Sequence, residues 1–428
     1  MGRLCGFPPL RSSAPVTIPN RHSADLSVNS FAFLLLFLPA TLALVAFART
    51  RLGEGAAKVV LLGASLLFYS FAGLPSLALL LTSVTVNWLV VRSLSQRDAN
   101  PAFRKRLFLL ALTANVGTLC VFKYAAAVSV LVRSEFGWPA RVPELGFPLG
   151  LSFYTLTQVM YLVNCYEGIF RPLRWIDLMS FVSFFPNVTA GPLLKAKLFF
   201  SEIPRIGERV RANERVTFAA ILICLGLAKK VVLGDSFARL ASAGYASVGG
   251  LSTLEAWVFS LAGTFEIYFD FSGYSDIAFG SAVLLGLTLT RNFNVPFRAA
   301  SISEFWQRWH ISLSEFITTY LYTPVLRSMG RATLGKSAFA TIIAMLIAGV
   351  WHGASWSFVL FGLLHGVALA LFQVWKRKKR PMPKPLAVLV TFAFVNAAFV
   401  TVRAGSLPDA LEMLVHLLPQ SKDWKSVV

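Results

Sequence analysis

Residues 338–380 read AFATIIAMLIAGVWHGASWSFVLFGLLHGVALALFQVWKRKKR. Two apolar runs, about 338–351 and 356–375, flank Trp351-His352-Gly353, and the basic run 376–380 closes the second. A helix needs about 20 predominantly apolar residues to cross a bilayer. A block of lysine and arginine just after such a run marks its cytoplasmic end. The stretch therefore reads as two successive spans with a histidine between them.

The rest of the chain extends this reading. Its 428 residues are 56% hydrophobic, 13% aromatic and only 14% charged, with a mean hydropathy of +0.65. A soluble domain carries about a quarter charged residues, and a membrane β-barrel alternates polarity in segments of about ten. Neither pattern is present, so the fold class is all-α and polytopic, with roughly 10–12 membrane segments. Forty Lys+Arg against twenty Asp+Glu give a formal charge of +20. Two readings fit: the positive-inside bias of a many-span protein, or basic groups that hold an anionic donor such as a nucleotide-bearing thioester. Nucleic acid is not an expected partner, because the basic residues sit in short loops between spans. The four cysteines are scattered without CxxC or Cys/His spacing, which predicts packing roles and no metal site.

Residues 1–27 are polar and read as a disordered tail, or as sequence upstream of a natural start at Val28; 28–428 read as one membrane-embedded domain. Spans are expected near 31–47, up to 71, up to 91, 107–131, 147–165, from 216, 254–289 and 386–402, besides the two above. An outer loop is expected around Trp138-Pro139 and Pro143. The stretch 180–200, SFVSFFPNVTAGPLLKAKLFF, is apolar but broken by Pro186, Gly191-Pro192, Lys195 and Lys197. Irregular backbone at membrane depth survives only where it is buried in protein or lines a cavity, so this is a re-entrant or interfacial element. Residues 254–289 are either one long span or two short ones broken near Ser272-Gly273.

Polar groups inside apolar sequence are the candidates for chemistry, since ionisable side chains are costly in a bilayer and tend to mark sites. Over 305–321, a period of 100° per residue places Trp306, His310, Leu313, Ile317 and Tyr320 on one stripe of a helix, with Arg308, Ser312, Glu315 and Thr319 opposite. His310 is then either a hydrogen-bonded core histidine or a functional one. His352 carries the same alternatives, and Gly353 beside it would admit another backbone or a substrate closely. His365 ranks behind both, as a packing residue. Asp270 and Asp276, with Tyr274 nearby, would bind sugar hydroxyls, orient a histidine, or pair with Arg291 or Arg298. No GxSxG, Walker A or HExxH pattern occurs.

These motifs resemble the membrane-bound O-acyltransferase family, in the branch of the bacterial alginate O-acetylation and D-alanyl transfer proteins. The stretches that carry the resemblance include FPLGLSFYTLTQ, PNVTAGPLL, AKKVVLGDSFA, EIYFDFSGYSDIAFG, NFNVPF, SISEFWQRWHISLSEFITTYLYTP and GVWHGASWSFVLFGLLHG, in that order. The resemblance implies a ring of tilted helices around a central tunnel, where a cytoplasmic donor passage meets an extracytoplasmic acceptor funnel. It also implies that His352 is the essential catalytic histidine and that His310 shares the site. The segment VLRSMGRATLGKS (325–337) departs from the Gly-Gly-Asn-Arg type of the alginate branch.

The expected reaction moves an acyl group, acetyl in the first instance, from acetyl-CoA or a carrier-protein thioester to a glycan hydroxyl, with no bound cofactor. His352 serves as base and His310 as its companion. Trp309, Trp351, Asp270, Tyr274, Asp276, Lys195, Lys197, Arg291 and Arg298 are expected to contact substrate. The expected setting is a bacterial inner membrane, with lipids, a polysaccharide acceptor or a periplasmic acetyltransferase as partners. A transporter or flippase, or a non-catalytic subunit of a polysaccharide-secretion complex, is the alternative.

Overall fold

A computed structural model describes residues 27–96, 100–136, 146–207, 212–379 and 382–419, and every regular element among them is helical. The tail up to residue 26, the loop with Trp138, Pro139 and Pro143, and Arg380 lie outside the described residues. In lipid the backbone has no water to bond, so long apolar runs satisfy their amides within helices.

The helices are α1 (Leu38–Leu52), α2 (Glu54–Ser70), α3 (Leu74–Leu94), α4 (Pro101–Phe136), α5 (Leu151–Tyr166), α6 (Trp175–Val182), α7 (Ala196–Glu202), α8 (Ala212–Leu227) and α9 (Asp235–Tyr245). They continue as α10 (Thr253–Leu285), α11 (Ile302–Arg308), α12 (Ile311–Phe316), α13 (Thr323–Ser328), α14 (Leu334–His352), α15 (Trp356–Arg377), α16 (Lys384–Arg403) and α17 (Leu407–His416). Seven helices among the described residues are long and apolar enough to cross a membrane, one of them running unbroken over Asn213–Tyr245 through a π-helical segment. The protein is a multi-pass, all-helical membrane protein.

Polar side chains tie the spans at chosen points. Asn87 of α3, Asn115 of α4 and Gln158 of α5 form a buried amide cluster, with Asn87 donating to Gln158 at 2.7 Å and to Asn115 at 3.0 Å. α14 and α15 pack as an antiparallel hairpin: Ser337 donates to Gln373 at one end, and Gly349 faces Gly362 toward the other. The basic groups Lys336, Lys376 and Arg377 thus share one end of the hairpin, and His352 stands at the opposite end.

The broken stretch behaves as expected. Between α6 and α7 the chain is irregular yet buried from Ser183 to Val188, with the Phe185 backbone amide donating to the Ser65 hydroxyl at 3.3 Å and the Asn187 side-chain amide to the Pro192 carbonyl.

One open alternative is decided and one expectation is corrected. Residues 254–289 are not interrupted at Ser272-Gly273, because α10 runs continuously from Thr253 to Leu285, opened by a Ser252–Glu255 capping box and closed by Gly286 at φ 95°. Gly273 instead lets α10 touch α8: a Cβ there would come within 2.6 Å of the Gly226 carbonyl oxygen. Small residues are what allow such close helix contact in lipid. The helix expected over 305–321 is likewise not continuous, since it breaks at Trp309 and His310.

Candidate active site

His310 owes its position to that break. α11 starts at Ser301, whose hydroxyl accepts from the Glu304 amide, and it ends at Arg308. His310 then takes a left-handed conformation (φ 42°, ψ 54°) and α12 begins. Left-handed backbone costs a non-glycine residue roughly 1–2 kcal/mol, so something outside must hold it. The NFNV loop does so. The Asn292 carbonyl accepts from the Ile311 amide at 3.0 Å, the Asn292 side chain accepts from the Ser312 hydroxyl at 2.7 Å, and the Asn294 amide donates to the Arg308 carbonyl at 2.9 Å. The Ser312 hydroxyl in turn accepts from the Leu193 amide of the broken stretch. Ser312, placed by periodicity on the polar face, is therefore a buried linchpin.

The His310 ring meets Phe271 of α10 edge-on at 4.7 Å and is 2% exposed. His352 comes from the far end of the α14–α15 hairpin and lies close enough to His310 for their charges to interact. Trp351, Phe358 and Phe361 surround it at ring separations of 4.8, 6.4 and 6.1 Å, yet it is exposed. His352 is thus exposed while flanked by aromatic rings, whereas His310 is buried. The close neighbour of Gly353 is a side chain, the Phe358 ring, which a Cβ would meet at 2.1 Å, and not another backbone. Trp351 Nε1, His310 Nδ1 and Asn292 Nδ2 are buried without a protein partner among the described residues. Buried polar atoms are nearly always bonded, so their gathering near two histidines is the chemical signature of this region.

The other candidates divide. Trp309 sits in the aromatic core, stacked on Phe305 at 5.6 Å and touching Phe399 at 4.9 Å. Asp276 pairs with Lys229 at 2.6 Å and Asp270 with Lys230, so their partners are the adjacent lysines of the π-helical segment and not Arg291 or Arg298. Tyr274 bonds Thr189, tying α10 to the broken stretch. Lys195 pairs with Glu315 at 2.8 Å, whereas Lys197, Arg291 and Arg298 are exposed. His365 is fully buried and its Nδ1 accepts from Trp306 Nε1 at 3.2 Å. Sequence reasoning passed over Asn292 and Ser312, which carry no signal of their own. It also passed over Lys123, although one lysine inside the apolar run 107–131 was signal enough.

The family model described as MBOAT, membrane-bound O-acyltransferase family, matches residues 69–401 and so encloses every residue of this region. The chain belongs to the MBOAT family. Similar curated proteins include the peptidoglycan O-acetyltransferase of Helicobacter pylori, 34% identical over 91% of this chain and 79% of that protein. The probable alginate O-acetylase AlgI of Azotobacter vinelandii is 32% identical over 92% and 78%. The teichoic acid D-alanyltransferase of Streptococcus thermophilus is 28% identical over 74% and 78%. This MBOAT member is a membrane O-acyltransferase, and its two tryptophan-histidine pairs, Trp309-His310 and Trp351-His352, both fall inside the matched region.

Proposed function

We propose that the protein transfers an acyl group, acetyl by preference, from a cytoplasmic thioester donor to a hydroxyl of an extracytoplasmic polysaccharide or cell-envelope glycan in a bacterial inner membrane. The observation that supports this reading is an exposed His352 within electrostatic reach of the buried His310, with unpartnered buried nitrogens at Trp351, His310 and Asn292. The names of the relatives, which act on peptidoglycan, alginate and teichoic acid, support a glycan-type acceptor.

A sugar hydroxyl is a poor nucleophile at neutral pH, and a positioned base contributes typically 10²–10⁴-fold. In this reading His352 takes the hydroxyl proton as the oxygen attacks the thioester carbonyl. The carbonyl oxygen becomes an oxyanion, and Trp351 Nε1 or His310 supplies an N–H toward it. Collapse breaks the carbon–sulfur bond, and the imidazolium returns its proton to the departing thiolate. With the basic hairpin end cytoplasmic, His352 faces the outer half of the membrane, where an acceptor arrives. Lys197, Arg291 and Arg298 are free to meet an anionic donor headgroup, Lys195 less so because Glu315 offsets its charge.

The test uses membrane vesicles supplied with labelled acetyl-CoA and envelope glycan. His352→Ala, expressed in the membrane at wild-type level, should lose label on glycan hydroxyls; undiminished labelling would defeat the assignment. Glycan crossing the vesicle without label would point to transport instead.

A further inference from the structure

We propose that Lys123, with Tyr124 beside it, is a positioning residue for acyl transfer: from α4 the pair closes the last turn of α14 and so fixes where the His352 imidazole stands. The inference rests on His352 being the base.

A helix leaves its last carbonyls without intrahelical partners, and something must satisfy them. The usual device is a left-handed residue just past the end, which turns a backbone amide back onto the last turn. α14 lacks it, because Gly353 is extended (φ −168°). The carbonyls in question belong to Val350 and Trp351, the residues directly before His352. The first accepts from the Tyr124 hydroxyl and the second from the Lys123 ammonium. Consecutive donors on α4 thus meet consecutive acceptors on α14.

The ammonium is also seated 5.4 Å above the Trp351 indole, a cation–π arrangement that restrains the ring next to His352. Lys123 lies within the candidate span Pro101–Val130, and the ion pairs among the described residues do not include it. An unpaired lysine in a membrane helix is costly and is retained where it does something. The negative end of a helix is a fitting partner for it. On the other side the Phe358 ring presses on Gly353. The turn carrying His352 is therefore gripped by α4 on one side and α15 on the other. A reacting group displaced by about 1 Å can lose 10²-fold in rate.

The experiment compares wild type, Lys123→Met, Lys123→Arg and Tyr124→Phe as full-length protein in nanodiscs. The first readout is carbethoxylation of individual histidines by diethyl pyrocarbonate, followed by peptide mass spectrometry. The second is acyl transfer from acetyl-CoA to envelope glycan. In Lys123→Met the His352 modification rate should change several-fold while buried His365 stays protected. The turnover number should fall about ten- to a hundredfold with the donor KM within about twofold. Lys123→Arg should recover most of both effects, and Tyr124→Phe should show a smaller change of the same kind. Wild-type His352 reactivity and turnover in Lys123→Met would overturn the proposal. Exposure of His365 along with His352 would also overturn it, because it would mean a role in folding alone. Activity surviving His352→Ala would instead remove the base assignment, and the modification rates would still judge the positioning.

Discussion

The side-chain oxygen of Asn292 accepts two bonds from Ser312, one from its hydroxyl at 2.7 Å and one from its amide at 3.2 Å. This contact holds the chain immediately after His310. Asn292→Ala should leave the buried Ser312 groups unsatisfied, at a cost of about 1–3 kcal/mol. It should also free His310 from its left-handed conformation. The expected outcome is a melting temperature lower by several degrees in detergent, with acyl transfer reduced further than the amount of folded protein.

The Lys229–Asp276 bond links the π-helical segment to α10 at 2.6 Å, with both side chains about a quarter exposed. Removing one partner strands a charge at membrane depth. Asp276→Asn alone should destabilise by about 1–3 kcal/mol, less than for a fully buried pair. The double variant Lys229→Met with Asp276→Leu should regain most of that loss in a thermal melt. Failure of the double variant to recover would assign the pair a role beyond joining helices.

Trp306 donates to His365 at 3.2 Å inside the aromatic core. Trp306→Phe removes that bond and should cost about 1 kcal/mol, leaving acyl transfer within a few-fold of wild type. A loss as deep as that of His352→Ala would bring His365 into the reacting site.

Glu304 lies outside the spans, where a bond from the Ala300 amide, with help from Arg308, holds its carboxyl below the usual value of 4.5. A lowered carboxylate pKa stabilises the fold above the unfolded value, and the benefit is lost as pH falls through the folded value. Thermal stability should therefore decline on acidification below about 4.5, and Glu304→Gln should flatten that decline.

Particular residues show how far the sequence could be read. The hairpin around Trp351-His352-Gly353 was legible because hydropathy is local: each span contains its own apolar residues and its own stop. Pro186 and Gly191-Pro192 announced the broken stretch for the same reason. The break at His310 was not legible, since a smooth amphipathic stripe concealed it and its cause lies in the Asn292 loop. Ser272-Gly273 left one span or two equally open, because glycine in a membrane helix serves close packing as readily as a kink.

Composition and hydropathy by themselves settled that this chain is an all-helical, many-span membrane protein, and its tryptophan-histidine motifs pointed to the acyltransferase family. Those properties belong to segments that fold against lipid one at a time. Only tertiary structure decided that His352 comes within electrostatic reach of His310, that Asp270 and Asp276 meet lysines and not arginines, and that Lys123 bonds the Trp351 carbonyl in the turn bearing His352. Each of those depends on hydrogen bonds and charges brought together from distant parts of the chain, and such pairings leave no periodic trace in the sequence.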